Sequence, residues 1–190
     1  MLQNMKCVLG LFMLCLLACT ENKYAGIPEK YHALLDQALV KAGDNATELT
    51  AALKNAPDNQ KEGMAFLIAY MPERDLKELT ADFLLENTAY AYQAREKYVW
   101  AREITDTVFL NDVLPYVSLN ETREGWRKEF YERFGKYVQH CKTIFEAIDS
   151  VNRNVRDEVL VDYNTKREKP DQSPFESMRQ HMASCTGLSI

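Results

Sequence analysis

Cysteine and histidine are the residue types in this chain that could carry covalent or acid–base chemistry, and Cys185 has the most suggestive surroundings. It lies in the segment His181-Met-Ala-Ser-Cys-Thr-Gly-Leu-Ser-Ile190, where small residues precede the thiol and apolar residues follow it. This order predicts a coil that becomes a helix at Cys185. Amide N–H groups at a helix start stabilise a thiolate and can hold an oxyanion during attack on an amide carbonyl. The alternative is a small buried cysteine in an ordinary helix.

Four other hypotheses about these cysteines and histidines predict less chemistry or none. His181 lies four residues before Cys185 and would share its face only if the helix began early, so a loop position is favoured for it. The spacings of His140 with Cys141 and of His181 with Cys185 are not those of a zinc site, so neither metal nor cofactor is expected. Cys141 belongs to an apolar stripe, which predicts a buried, inert thiol. A Cys141–Cys185 disulfide stays open, and it would remove the nucleophile.

The first nineteen residues have the pattern of an export signal. A polar start with one positive charge, Lys6, is followed by an almost wholly apolar run over residues 8–18. This run is about eleven residues long, whereas a helix that crosses a bilayer needs roughly twenty. Its length is typical of the apolar region of a secretory signal.

The end of that run, Leu16-Leu-Ala-Cys19, resembles the bacterial lipoprotein signal. The resemblance implies cleavage before Cys19, a lipid on its sulfur and attachment to a membrane of the bacterial cell envelope. Thr20 stands where an aspartate would favour retention in the inner membrane, so the outer membrane is favoured. The alternative is an ordinary signal peptide in which this cysteine is incidental.

Composition excludes several classes of protein. The chain has 190 residues, of which 46% are hydrophobic and 27% charged, as in globular rather than disordered proteins. Its net charge is −5, and no run of Lys and Arg is long enough to follow a phosphate backbone. We therefore expect no nucleic-acid partner. An acidic surface is also poorly suited to anionic lipid, so membrane contact would depend on the lipid at Cys19.

Apolar residues recur at helical spacing over most of residues 31–158. The first predicted helix covers 31–42 and ends at Gly43, and the second runs from an Asn45/Glu48 capping pair to Pro57. Further helices are predicted at 64–71, after a cap at Thr80, and at 105–114. The longest stripe begins with Trp126, Phe130 and Phe134, is interrupted at Gly135 and resumes from Tyr137 to Val151. Such a stripe favours one buried helical face in a packed core over a ligand pocket.

The following segment, residues 155–171, is charged and lacks helical periodicity, and 159–161 could be a short strand or a buried loop. Ser173-Pro-Phe-Glu176 then combines a cap, a proline at the first helical position and a glutamate at the third. This combination predicts a helix that starts at Pro174.

The carboxyl-terminal motifs resemble the transglutaminase-like superfamily. The resemblance is carried by Ala183-Ser-Cys185-Thr-Gly-Leu-Ser-Ile190, by the Ser173-Pro-Phe-Glu-Ser-Met lead-in, and more loosely by Phe109-Leu-Asn-Asp-Val-Leu-Pro-Tyr116 and Trp126-Arg-Lys-Glu-Phe-Tyr131. It implies a papain-like acyl-transfer or amide-hydrolysing core in which Cys185 attacks a protein, peptide or glycopeptide. The family's histidine and aspartate follow the cysteine by some tens of residues, and no position of this chain matches them. An amino-terminal fragment, inactive as given, is therefore expected.

Together these patterns predict a mainly α protein, with a helical amino-terminal domain before the start of a truncated α+β transglutaminase-like core. The predicted parts are a signal peptide at 1–18, a lipidated tether at 19–30, a helical domain at 31–158 and the incomplete core at 159–190. The alternative functions are a lipid-anchored helical binding or scaffold protein without catalysis, and an inactive relative that binds peptide or glycan.

Overall fold

The computed structural model describes residues 23–189 apart from the side chains of Thr186 and Ser189, and this part of the chain is mainly α, as predicted. The transglutaminase-like core is not established by this architecture. The helices are α1 (His32–Ala42), α2 (Ala46–Asn55), α3 (Lys61–Tyr70), α4 (Glu73–Glu78), α5 (Ala81–Lys97), α6 (Asp106–Val108), α7 (Trp126–Val138), α8 (Ile144–Val159), α9 (Pro174–Gln180) and α10 (Cys185–Ser189). Two short strands, β1 (Asp162–Tyr163) and β2 (Met182–Ala183), and several short 3₁₀ and π-helical turns are also described.

Helices α1 to α5 pack around one apolar core, and apolar residues of the segment 109–117 also belong to it. Gly43 ends α1 with a positive φ of 58°, a conformation that favours glycine. The Thr80 hydroxyl accepts a hydrogen bond from the Phe83 amide and so begins α5. Both of these helix boundaries agree with the signals in the sequence.

The predicted Asn45/Glu48 capping pair is wrong. A 3₁₀ turn over Gly43–Asn45 leads directly into α2, and Asn45 has helical backbone angles without a side-chain cap. Its side-chain amide instead donates to the carbonyls of Leu76 and Leu79, at 2.9 Å each. Glu48 accepts from the Ala81 amide at 2.7 Å. The two side chains therefore join α2 to the end of α4 and the start of α5, where unpaired backbone groups need partners.

The predicted boundaries in the middle of the chain also need correction. Gly135 does not interrupt α7, which continues to Val138; the break lies at 139–143. There Thr143 accepts from the Glu146 amide, and Glu146 accepts from the Lys142 amide. This pair of bonds starts α8, which reaches Val159 and so includes residues predicted to lack helical structure. Residues 105–114 form the short α6 and a π-helical turn at Phe109–Val113 rather than one regular helix.

The carboxyl-terminal segment is held by backbone pairing and polar bonds. Leu160 adopts a left-handed conformation at the end of α8, with φ of 54°, and Val161 is buried. Strand β1 then pairs in parallel with β2, with Asp162 opposite Met182 and Tyr163 opposite Ala183. A division of domains at 158/159 stays a prediction.

Candidate functional site

Helix α9 starts as its sequence predicts and directs the chain into β2 and α10. Ser173 is fully buried, its hydroxyl accepts from the Glu176 amide at 3.1 Å, and Glu176 accepts from the Ser173 amide at 2.8 Å. Pro174 occupies the first helical position. The Ser173 hydroxyl also donates to Glu124, which accepts a second bond from Arg179 at 3.1 Å. The cap is thus joined to the segment that leads into α7.

Cys185 is the first residue of α10 and is exposed. The buried Ser184 precedes it, and the Ser184 hydroxyl accepts from the Gly187 amide at 2.9 Å and donates to the Pro170 carbonyl at 3.0 Å. The local geometry therefore has the predicted order: a short extended segment ends at Ser184, whose side chain caps the helix that begins at Cys185. The described part of α10 has five residues.

His181 occupies the loop position that the sequence favoured. It ends α9 in a left-handed conformation, is exposed, and its Nδ1 lies 3.0 Å from the Leu160 carbonyl oxygen. His140 is exposed in the break between α7 and α8. The described hydrogen bond of the Cys141 thiol goes to the Tyr137 carbonyl and not to an imidazole.

The other cysteine hypotheses have different outcomes. Cys141 is half-buried rather than buried, and its thiol donates to the Tyr137 carbonyl at 3.6 Å. Cys141 and Cys185 are not joined by a disulfide. Over residues 23–189 we find no group of three or more His, Cys, Asp and Glu side chains arranged for a metal ion.

The predicted lipidation site, Cys19, and the apolar run before it lie outside the described residues. In the part of the chain that the structure describes, no helix combines the length and apolar character needed to cross a bilayer.

The largest feature that the sequence did not predict is an apolar cavity of about 710 Å³. It lies between α5, α7, α8, β1, α9 and α10. Aromatic rings form much of its wall, namely Tyr90, Tyr98, Trp100, Trp126, Phe130, Tyr131 and Phe134. Valines and residues of the carboxyl-terminal helices form much of the remainder, including Val151, Val155, Val159, Val161, Pro174, Ser177, Met178, Gly187 and Leu188.

This cavity corrects the prediction of a fully packed stripe. Phe134 is buried, but Trp126 and Phe130 are only partly buried and face the cavity. On α8, Phe145 and Ile148 are exposed, whereas the stripe predicted that they were inside. Helical periodicity grouped the apolar residues of α7 correctly, but it did not predict the exposure of Phe145 and Ile148 on α8, and it does not reveal whether the facing elements fill the space between them.

Ser177 and Arg127, in the cavity wall, lack the partners that buried polar and charged side chains usually have. The Ser177 hydroxyl is buried without a hydrogen-bond partner in the described structure. The Arg127 guanidinium is held by neutral groups: its Nε donates to the Asn87 side-chain oxygen at 2.7 Å, and its Nη2 donates to the Pro115 carbonyl at 2.7 Å. Burial lowers the pKa of Arg127 to about 10, so it stays protonated at neutral pH.

Comparisons of the chain with protein-family models, with curated proteins and with solved structures found no match. What the protein does must therefore be inferred from its own residues.

Proposed function

We propose that the chain belongs to a transglutaminase-like protein anchored to the bacterial cell envelope, with Cys185 as its nucleophile. The observation that supports this proposal is the position of Cys185, which is an exposed thiol on the first residue of a helix, directly after a strand and a capping serine. A thiol in that position is accessible to a peptide or glycopeptide carbonyl and adjoins the amides of the opening turn.

The proposed reaction would proceed through a thioester. The Cys185 thiolate forms a bond to the amide carbonyl carbon, the carbonyl electrons move to oxygen, and their return breaks the C–N bond, so that the amine leaves with a proton. Water or a second amine then attacks the thioester carbonyl and releases the thiol. The proton transfers need a base. His181 is engaged with the Leu160 carbonyl, and no residue matches the family's histidine, so the chain as given is expected to be inactive.

The reactivity of Cys185 tests this proposal. At pH 6 we expect iodoacetamide to alkylate Cys185 in the folded chain about tenfold faster than in the urea-denatured chain. The reagent reacts with the thiolate, and the proposal requires the opening turn of the helix to stabilise that thiolate in the folded chain. Cys141 should react more slowly when folded, since its thiol is half-buried. Peptide-resolved mass spectrometry gives both rates.

The Cys141→Ser variant is the matched control, because it should leave the rate at Cys185 unchanged. A folded-state rate at Cys185 no faster than the denatured-state rate would overturn the assignment of a nucleophile.

The second candidate function is a lipid-anchored helical binding or scaffold protein without catalysis, or an inactive relative that binds peptide or glycan. The apolar cavity favours the binding alternative, since a wall of aromatic and valine side chains around about 710 Å³ resembles a ligand site more than a packed interior. In this alternative Cys185 has only a structural role.

Both candidates place the chain on a membrane, and substitution of Cys19 tests this part. In a bacterial expression host we expect Cys19→Ala to be exported but to move from the membrane fraction to the soluble fraction. The variant lacks the sulfur that would carry the lipid, and the lipid is the proposed means of attachment. Fractionation and immunoblotting give the distribution. Cys15→Ala, within the apolar run, should stay with the membrane. If Cys19→Ala fractionates like the unmodified chain, the lipid anchor is wrong.

A further inference from the structure

The cavity has the size and the wall of a small-molecule site. Its volume of about 710 Å³ is within the roughly 300–1,000 Å³ of such sites, and its wall is predominantly apolar. The Tyr98 and Trp100 rings stack in parallel on one side, with centroids 5.4 Å apart. On the other side, Val151, Val155 and Val159 follow one another at four-residue spacing along α8. Such a surface suits a flexible hydrocarbon chain.

Arg127 is one of the residues that line this cavity, and its positive charge is held by neutral hydrogen-bond partners. The guanidinium donates hydrogen bonds to the Asn87 side chain and to backbone carbonyls through Nε and Nη2, and none of these bonds uses Nη1. Its carbon atom lies 4.8 Å from the Trp126 ring centre. No ion pair is found for it among the described residues. A buried charge with only neutral partners favours the arrival of an anion.

The other charged groups around the cavity are already partnered or lie apart from it. Arg156 and Asp162 are both in the wall and pair with each other at 2.9 Å. Glu86 and Glu124 share a separate small cleft with Arg127, and Glu124 is bound by the Ser173 hydroxyl and by Arg179. Among the charged residues that line the cavity, Arg127 is therefore the one without a described ion pair.

We propose that the cavity binds a long-chain carboxylate of the fatty-acid class, with the hydrocarbon chain among the aromatic rings and valines and the carboxylate at Arg127. The ligand has one charged end and an otherwise apolar body, which matches a wall with one unneutralised cation. A peptide fits less well, because its amide groups need partners and the described unpaired polar groups in the wall are the hydroxyls of Ser177 and Tyr98 alone. This inference depends on the cavity and not on Cys185, and it would give the binding alternative its ligand class.

Tryptophan fluorescence tests this inference directly. Both tryptophans of the chain, Trp100 and Trp126, lie in the cavity wall, and residues 1–22 contain none. Bromine quenches tryptophan only at short range, so 9,10-dibromostearate bound in the cavity should quench the full chain. Stearate should relieve the quenching by competition. The methyl ester of the brominated acid should bind about tenfold more weakly, because it lacks the charge.

Variants of Arg127 separate the role of its charge from that of its shape. We expect Arg127→Met to weaken binding of the brominated acid about tenfold with little effect on the ester, and Arg127→Lys to restore most of the loss. Arg153→Met is the control, since Arg153 is exposed on α8 and outside the cavity. Cys185→Ser should leave quenching unchanged, so a failure here is distinct from a failure of the thiol proposal.

Three outcomes would overturn the inference. Absence of quenching by the brominated acid would exclude the ligand class. Equal quenching by the acid and the ester in the unmodified chain, a comparison that needs no variant, would exclude the role of Arg127. Quenching by vesicles of brominated phospholipid but not by the monomeric acid would show a membrane-binding surface instead.

Discussion

Replacement of Asp75 by alanine should lower the free energy of unfolding by about 3–5 kcal/mol, because it removes one partner of a buried ion pair. Asp75 is 1% exposed on α4. Its carboxylate accepts from the Arg123 guanidinium at 2.9 to 3.1 Å and from the Tyr116 hydroxyl at 2.8 Å. Alanine would leave the Tyr116 hydroxyl without its acceptor and the buried Arg123 guanidinium with the Glu121 carbonyl as its one remaining described acceptor. Urea unfolding followed by far-ultraviolet circular dichroism measures the loss.

A matched control exists on the surface. Asp58 pairs with Lys61 at 2.8 Å, but its side chain is 94% exposed, so Asp58→Ala should leave the free energy of unfolding almost unchanged. Equal losses for the two variants would show that the Asp75 pair does not contribute through its burial.

Phe109→Ala should also cost about 3–5 kcal/mol, through loss of apolar contacts and a cavity left in the core. Phe109 is 1% exposed at the start of the π-helical turn. Its ring meets the Tyr92 ring edge to face, with centroids 4.8 Å apart, and the Arg95 guanidinium carbon lies 4.6 Å from its centre. This side chain joins the segment 109–117 to α5, so the loss should appear in global unfolding.

Val108, which ends α6 directly before Phe109, provides a control. Val108 is 44% exposed, and Val108→Ala should cost less than about 0.5 kcal/mol in the same urea measurement. A loss below 1 kcal/mol for Phe109→Ala would mean that the turn is not packed as the structure has it.

Signals confined to a few residues predicted local structure well. The Thr80 cap and the Ser173/Glu176 capping box lie where the sequence places them, because each involves side-chain and backbone groups three residues apart. The left-handed turn at Gly43 follows from the freedom of glycine. The start of α10 at Cys185 was likewise visible in the order of small and apolar residues.

Long-range features were not visible in the sequence. Asn45 had the composition of a cap, but the carbonyls that it satisfies lie 31 and 34 residues away. The Asp75–Arg123 pair joins residues 48 apart, and nothing in the local pattern of either residue indicates the other. The cavity was missed for the same reason, since the space between two apolar faces depends on how distant elements pack.

The bonds that hold α9 have a consequence for the order in which the chain assembles. Glu124 joins Ser173 and Arg179 across 49 and 55 residues, and Thr122 joins Glu176 across 54. Loops of that length must close before any of these bonds can form, whereas α1 to α5 are connected by short turns. The helical half is therefore expected to fold first, and the segment bearing Cys185 to dock last, onto a surface that already exists.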